Sequence, residues 1–445
     1  MSEFAFPAEE FARRRERICA AIGDAHALIA GAESSRGFLP LRQTNEFFYL
    51  AGVETAGAYL LIDGRRQEST LFLPPRGRAE IAEGAPPGLE DADLVRRVTG
   101  VEDVAPIAAL VERLDDARVV FTPHAPAELR ATCRHELNAA NAAMALDPWD
   151  GRLTREQHLI ALLRSRFPGL EVRDLTPLLD ELRAVKSPRE IAVMRRAGEL
   201  SAAAVRLAMQ VTRPGVMEYQ LGALANYLYA VSGARGEGYR PIIAAGENIW
   251  YGHYFRLDAP LMPGQLVLMD VAPDCDYYTS DIGRMWPVDG TYLPWQRELY
   301  GYVVEYHKVL LSKIRPGLMP DEVLGEAAEV MRGVWEHWPF SKAGYREAAE
   351  KTLTFRGHLS HPVGMAVHDD GAYQGRPLVP GTVFAVDPQM WIPEEQLYIR
   401  VEDTVVVTET GIENLTAAAP LELDEVERVM REEAIALPLI GEESG

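Results

Sequence analysis

Along the first 180 residues, apolar and polar positions alternate between helical and extended patterns. "PAEEFARRRERICAAIG" puts Pro7 at a helix start and Gly23 just past its end. The apolar runs "ALIAG" and "FFYLAG" read as strands, and "GAYLLI" and "STLFLP" follow as two more, joined by the polar turn "DGRRQE". "RVVFTP" adds another extended run, "TREQHLIALLRSRF" a helix, and a short helix ends near Val185. These elements predict an α/β domain over residues 1–181. "SPRE" at Ser187 to Glu190 then has the form of a capping box with proline in the first turn, and opens a long helix. A second domain is therefore expected over residues 182–445. Within it "RPGVM" at Arg213 recurs as "RPGLM" at Arg315, each between long helical segments and followed by strand-like sequence. Two helix-helix-strand units of this kind predict a duplicated fold with a cleft between its halves.

Two hairpins in the second domain carry acids inside apolar runs. In "QLVLMDVAPDCDYYTSDIGRMWPV", a loop at Cys275 and Asp276 sets Asp270 opposite Asp281. In "VFAVDPQMWIPEEQLYIRVEDTVVV", a turn at Glu394 and Glu395 sets Asp387 opposite Glu402. Acids on edge strands are common on solvated faces, but these apolar flanks predict burial, and buried carboxylates need a partner. Carboxylates opposed across a strand pair also repel unless a cation lies between them. Between the hairpins, "HLSHPVGMAVHDDG" brings His358, His361 and His368 within eleven residues, out of ten histidines in the chain. Such a cluster is often a solvated loop. Next to four buried acids it reads as one wall of a divalent-metal site, and four carboxylates suit two ions better than one.

Composition narrows the class. The 445 residues are 47% hydrophobic and 25% charged, ordinary for a soluble globular chain of two or three domains. No stretch is long and apolar enough for a membrane span, and "MSEFAFPAEEFARRRER" does not have the form of a signal or transit peptide. Three scattered cysteines, Cys19, Cys133 and Cys275, make no disulfide framework, and a reducing cytoplasm is expected. A net charge of −21 argues against nucleic-acid binding.

Five stretches of the second domain, in order, resemble the pita-bread metallopeptidases, and within them the Xaa-Pro peptidases aminopeptidase P and prolidase. They are "AVKSPREIAVMRRAG", "GENIWYGHY", "LVLMDVAPDCDYYTSDIGRMWPVDG", "HLSHPVGMAVHD" and "IRVEDTVVVTETGIENLT". The first domain adds "LRQTNEFFYLAG" and "TLFLPPRG", similar to the aminopeptidase P amino-terminal domain. The resemblance implies a mixed-sheet α/β domain followed by a pita-bread catalytic domain. It implies metal ligands at Asp270, Asp281, His361, Asp387 and Glu402, catalytic histidines at His253 and His368, and Arg400 in support. It further implies two divalent ions, manganese before cobalt or zinc, small peptide substrates with proline second, and a homo-oligomer, dimer or tetramer. Four positions depart from the family pattern: Asp387 stands for its usual glutamate, Gln389 for a glycine, Gly357 for a histidine with His358 one place later, and Trp391 for a tyrosine. Prolidase, a metal-poor creatinase-like hydrolase and a non-catalytic peptide-binding module are the alternative readings.

Overall fold

The computed structural model describes residues 6–33, 40–77, 81, 84 and 86–433. The first five residues of the opening stretch read above lie outside them. The chain divides into two compact units, Met1–Arg183 and Ala184–Gly445.

The first unit is built on a six-stranded mixed sheet in the order β4-β3-β2-β1-β5-β6. Its strands are β1 His26–Ala30, β2 Tyr59–Asp63, β3 Glu68–Leu73, β4 Asp103–Pro106, β5 Val119–Thr122 and β6 Glu171–Asp174. The hairpin β2–β3 is antiparallel, whereas β3–β4, β1–β5 and β5–β6 are parallel. Leu28, Leu61, Phe72 and Val120 pack its core. The run "FFYLAG", expected as a strand, is instead part of a helix, Asn45–Ala51. Every residue of that helix is buried, so its hydrophobicity has no period to betray it. The caps decide the matter: the Thr44 hydroxyl accepts from the Phe47 N–H at 3.3 Å, and Gly52 closes the helix at φ 67°.

The second unit opens on the helix Pro188–Val211. Ser187 accepts from the Glu190 N–H while the Glu190 carboxylate accepts from the Ser187 N–H, and Val193, Met194, Ala197, Val205 and Met209 form its buried stripe. A second helix, Glu218–Val231, follows across the "RPGVM" turn, and the pair Pro294–Lys313 and Pro320–His337 flanks "RPGLM". Gly215 and Gly317, the glycines of the two turns, both sit at φ 89°. The sequence repeat is thus also a backbone repeat. The sheet of this unit is antiparallel in the order β10-β13-β9-β8-β7, with β14 Ile412–Asn414 beside β13. Its strands are β7 Ile242–Ala245, β8 Leu266–Asp270, β9 Ile282–Pro287, β10 Val383–Val386 and β13 Glu402–Val407. β11 Gln389–Ile392 and β12 Leu397–Arg400 form a separate two-stranded ribbon. Trp286, Leu299, Tyr300, Phe384 and Val405 are among the buried side chains that hold helices and sheet together. No described helix is long and apolar enough to cross a membrane.

Candidate metal centre

The first hairpin turns one residue later than expected. Asp276 and Tyr277, with φ 46° and 76°, form the loop, and Cys275 exchanges both backbone hydrogen bonds with Tyr278 at 2.8 Å. Two positive φ values at the centre are what the tight hairpin turn demands, and the Asp274 carboxylate supports them by accepting from the Tyr277 N–H. The later turn moves the register by two. Asp270 therefore faces Gly283 rather than Asp281. Side chains two residues apart share a face, so Asp281 remains a diagonal neighbour of Asp270. Gly283 also faces Glu402 on its other side. A row Asp270–Gly283–Glu402 thus crosses three strands. A Cβ on Gly283 would lie 3.1 Å from Arg400 Nε and from Glu402 Cβ, so the missing side chain makes the room into which the acids converge.

The second hairpin keeps the register expected of it. Val386 pairs with Asp403 and Gln389 with Arg400, which brackets Asp387 opposite Glu402. Arg400 projects from the ribbon among three carboxylates. Its Nη2 lies 2.8 Å from Asp270 Oδ2 and also bonds Glu402 Oε2, while Nε is 3.5 Å from Asp387 Oδ1. His361 closes the group, with Nε2 at 3.3 Å from Asp281 Oδ2 and 3.7 Å from Glu402 Oε1. Its Nδ1 is 3.1 Å from the Pro362 carbonyl, which suits Nδ1–H and leaves Nε2 to face the acids.

The four acid side chains are at most 5% exposed. Burial pushes the carboxyls of Asp270, Asp281 and Asp387 up from their ordinary range, and Arg400 opposes this at Asp270 and Asp387. Burial alone would depress His361, but Asp281 and Glu402 hold it well above the usual histidine range. One guanidinium and one imidazole are thus shared among four carboxylates. Asp387 Oδ1, Glu402 Oε1 and Arg400 Nε find no hydrogen-bond partner. Asp281, His361 and Glu402 each offer a ligand atom within 4.8 Å of the others. Bonds of about 2.1 Å put two ligands of one ion roughly 3–3.5 Å apart, so this donor set fits a divalent cation.

Two further histidines line the open side. His368 packs edge-on against His361 with centroids 4.2 Å apart, and the exposed His253 lies 5.9 Å from His368. His358 is exposed against Phe355 at 5.0 Å and takes no part in the group. Three residues that sequence reasoning passed over also shape the centre. The buried Tyr239 hydroxyl reaches Asp270 Oδ1 and lies 2.7 Å from Asp281 Oδ1, bridging the diagonal pair. The Thr404 hydroxyl accepts from the Asp281 N–H at 2.7 Å and donates to its carbonyl at 2.8 Å. The Gln389 amide donates to Asp387. Only Tyr239 left a trace in the sequence, as a polar aromatic just ahead of the apolar run "PIIAAG".

The chain is similar to known proteins over nearly its whole length. Residues 192–409 match Metallopeptidase family M24, and residues 11–119 match the aminopeptidase P N-terminal domain. A protein of Escherichia coli strain K12 named Xaa-Pro aminopeptidase is 33% identical, over 95% of this chain and 97% of its own. The structure of E. coli aminopeptidase P with the inhibitor Pro-Leu superposes at a TM-score of 0.76 and 31% identity, covering 96% of this chain and 98% of that one. A structure described as a putative aminopeptidase P from Bacillus anthracis reaches 0.81 at 22% identity, over 97% and 100% of the two chains, and speaks to the fold alone. With its buried acids, its histidine and its full-length likeness to these proteins, the chain belongs to metallopeptidase family M24.

Proposed function

We propose that this chain is an Xaa-Pro aminopeptidase, hydrolysing the bond before proline and releasing the N-terminal residue of peptides with proline second. The observation that carries the reading is the convergence of Asp270, Asp281, His361, Asp387 and Glu402 from both halves of the duplicated unit. These five residues would hold two divalent ions, manganese before cobalt or zinc, which would supply an acidified water and electrophilic assistance to a carbonyl. Asp387 accepts the proton of the attacking water and returns it to the proline nitrogen. His253 and His368, on the open side, donate hydrogen bonds to the oxygen that gains charge as the carbonyl is attacked. Arg400 keeps three carboxylates oriented and offsets their mutual repulsion. A dedicated site is needed because an X-Pro bond is a tertiary amide with no N–H to grip.

Three buried, scattered cysteines, Cys19, Cys133 and Cys275, suit a reducing cytoplasm, and a homo-oligomer is the assembly this reading expects. Metal content per purified chain, measured together with cleavage of one X-Pro dipeptide and one X-Pro-Y tripeptide, tests the function. Bound metal with tripeptide cleavage is expected. Strong preference for the dipeptide moves the assignment to prolidase, and absence of both metal and cleavage sinks it.

A further inference from the structure

The β11–β12 ribbon presents two unlike faces. Met390 and Ile392 are buried, and alternating with them Gln389 and Trp391 point the other way, opposite Arg400 and Tyr398 respectively. Trp391 stacks on Tyr398 with centroids 4.0 Å apart and meets Trp250 edge-on at 5.2 Å, yet 38% of it is exposed. Between this indole and the buried acids stands one amide. Gln389 Nε2 donates to Asp387 Oδ2, and Gln389 Oε1 accepts from Trp391 Nε1 at 3.4 Å. The other oxygen of the same carboxylate, Asp387 Oδ1, has no hydrogen-bond partner and faces Arg400 Nε.

We propose that Gln389 is a positioning residue, which clamps the carboxylate of Asp387 for its metal and couples that carboxylate to Trp391. The inference rests on the metal reading above. An aspartate is one methylene shorter than the family's usual glutamate, and its terminal torsion is broad and roughly two-fold. Left alone, so short a carboxylate would rotate between Arg400 and solvent. A donor on Oδ2 fixes its plane and commits Oδ1 to the interior. A glycine at 389, as in the commoner family pattern, carries no amide to do this. The two departures are therefore linked: the shorter acid comes with a side chain that holds it. Because the amide is planar, a shift at its nitrogen moves its oxygen, and the indole N–H feels the change.

The test uses the full chain stripped of metal and titrated with Mn²⁺, reading bound metal by equilibrium dialysis and tryptophan emission in parallel. Wild type is expected to bind and to change its emission. Gln389→Ala should bind about tenfold more weakly, the lower end of what loss of a group orienting a metal ligand costs, and should lose most of the emission change. Trp391→Phe should lose the emission change while weakening binding less than Gln389→Ala does, which identifies the reporting indole among seven tryptophans. Gln389 is exposed, so its truncation leaves the core intact. Equal Mn²⁺ affinity in Gln389→Ala and wild type overturns the proposal. A wild-type chain that takes up no Mn²⁺ overturns the metal reading, and this inference with it.

Discussion

At the scale of single residues, the site turns on side chains whose length is set to within one methylene. Asp387→Ala removes one of four acids around the proposed ions and should abolish turnover and lower metal occupancy. Asp387→Glu should also harm both, because an added methylene in a close-packed site costs typically ~1–3 kcal/mol in strain. Metal stoichiometry and kcat/KM for the two variants decide the point, and a gain in the glutamate variant would mark Asp387 as a degenerate ligand. Tyr239 makes a different test. Its hydroxyl bridges Asp270 and Asp281, and hydrogen bonds to charged groups are worth about 1.5–3 kcal/mol. Tyr239→Phe should therefore destabilise the chelated protein by about that much, and the Mn²⁺-loaded protein by less, since cations then satisfy the same oxygens. Denaturant unfolding with and without metal measures the difference. The four acids were legible in the sequence because charge inside an apolar run stands out, whereas His361 was told from its neighbours only by the family resemblance. Thr404 and Gln389 were not, since their residue types are ordinary wherever they occur and only distance reveals their role, and Tyr239 showed only as a polar aromatic ahead of an apolar run.

At the scale of elements, what was legible depended on whether pattern or turn chemistry carried the information. The long helix at Pro188 announced itself through its capping box and stripe. The Asn45–Ala51 helix did not, because a fully buried segment has no polar face. The first hairpin was read two residues out of register, since its turn is set by positive φ at Asp276 and Tyr277, neither of them glycine. The second has the register expected of it. Gly283 joins the two at the centre of the sheet. Replacing glycine by alanine in a strand ordinarily gains about 0.5–1 kcal/mol in backbone entropy. Here the new methyl would press on Arg400 and Glu402, and overpacking of ~1–3 kcal/mol wins. Gly283→Ala should lower both the melting temperature and Mn²⁺ affinity, whereas alanine at the exposed Gly333, with open space around its Cβ, should do neither.

At the scale of the whole molecule, the buried acids tie stability to metal. Excess chelator should lower the melting temperature and remove activity, and Mn²⁺ at a hundred times its Kd should restore about 2.7 kcal/mol. A melting curve indifferent to chelator would contradict the site. Behind the acids, Arg284 and Asp403 form a buried pair at 2.7 Å, with His307 and Thr416 also on Asp403. Asp403→Asn strands the guanidinium and should cost about 3–5 kcal/mol, read from denaturant midpoints.

The order of the acids along the chain has a consequence for synthesis. Asp270 and Asp281 come from the first half of the duplication, and His361, Asp387 and Glu402 from the second. Strand β13, which carries Glu402, also lies between β9 and β10 in the sheet. A growing chain therefore owns two of its five donors for more than a hundred residues before the last one is made. No partial product can form the full cage, so selection of the ion waits for a nearly complete protein. On the proposed reading, it is the metal present at the end of translation, rather than at its start, that meets the complete donor set.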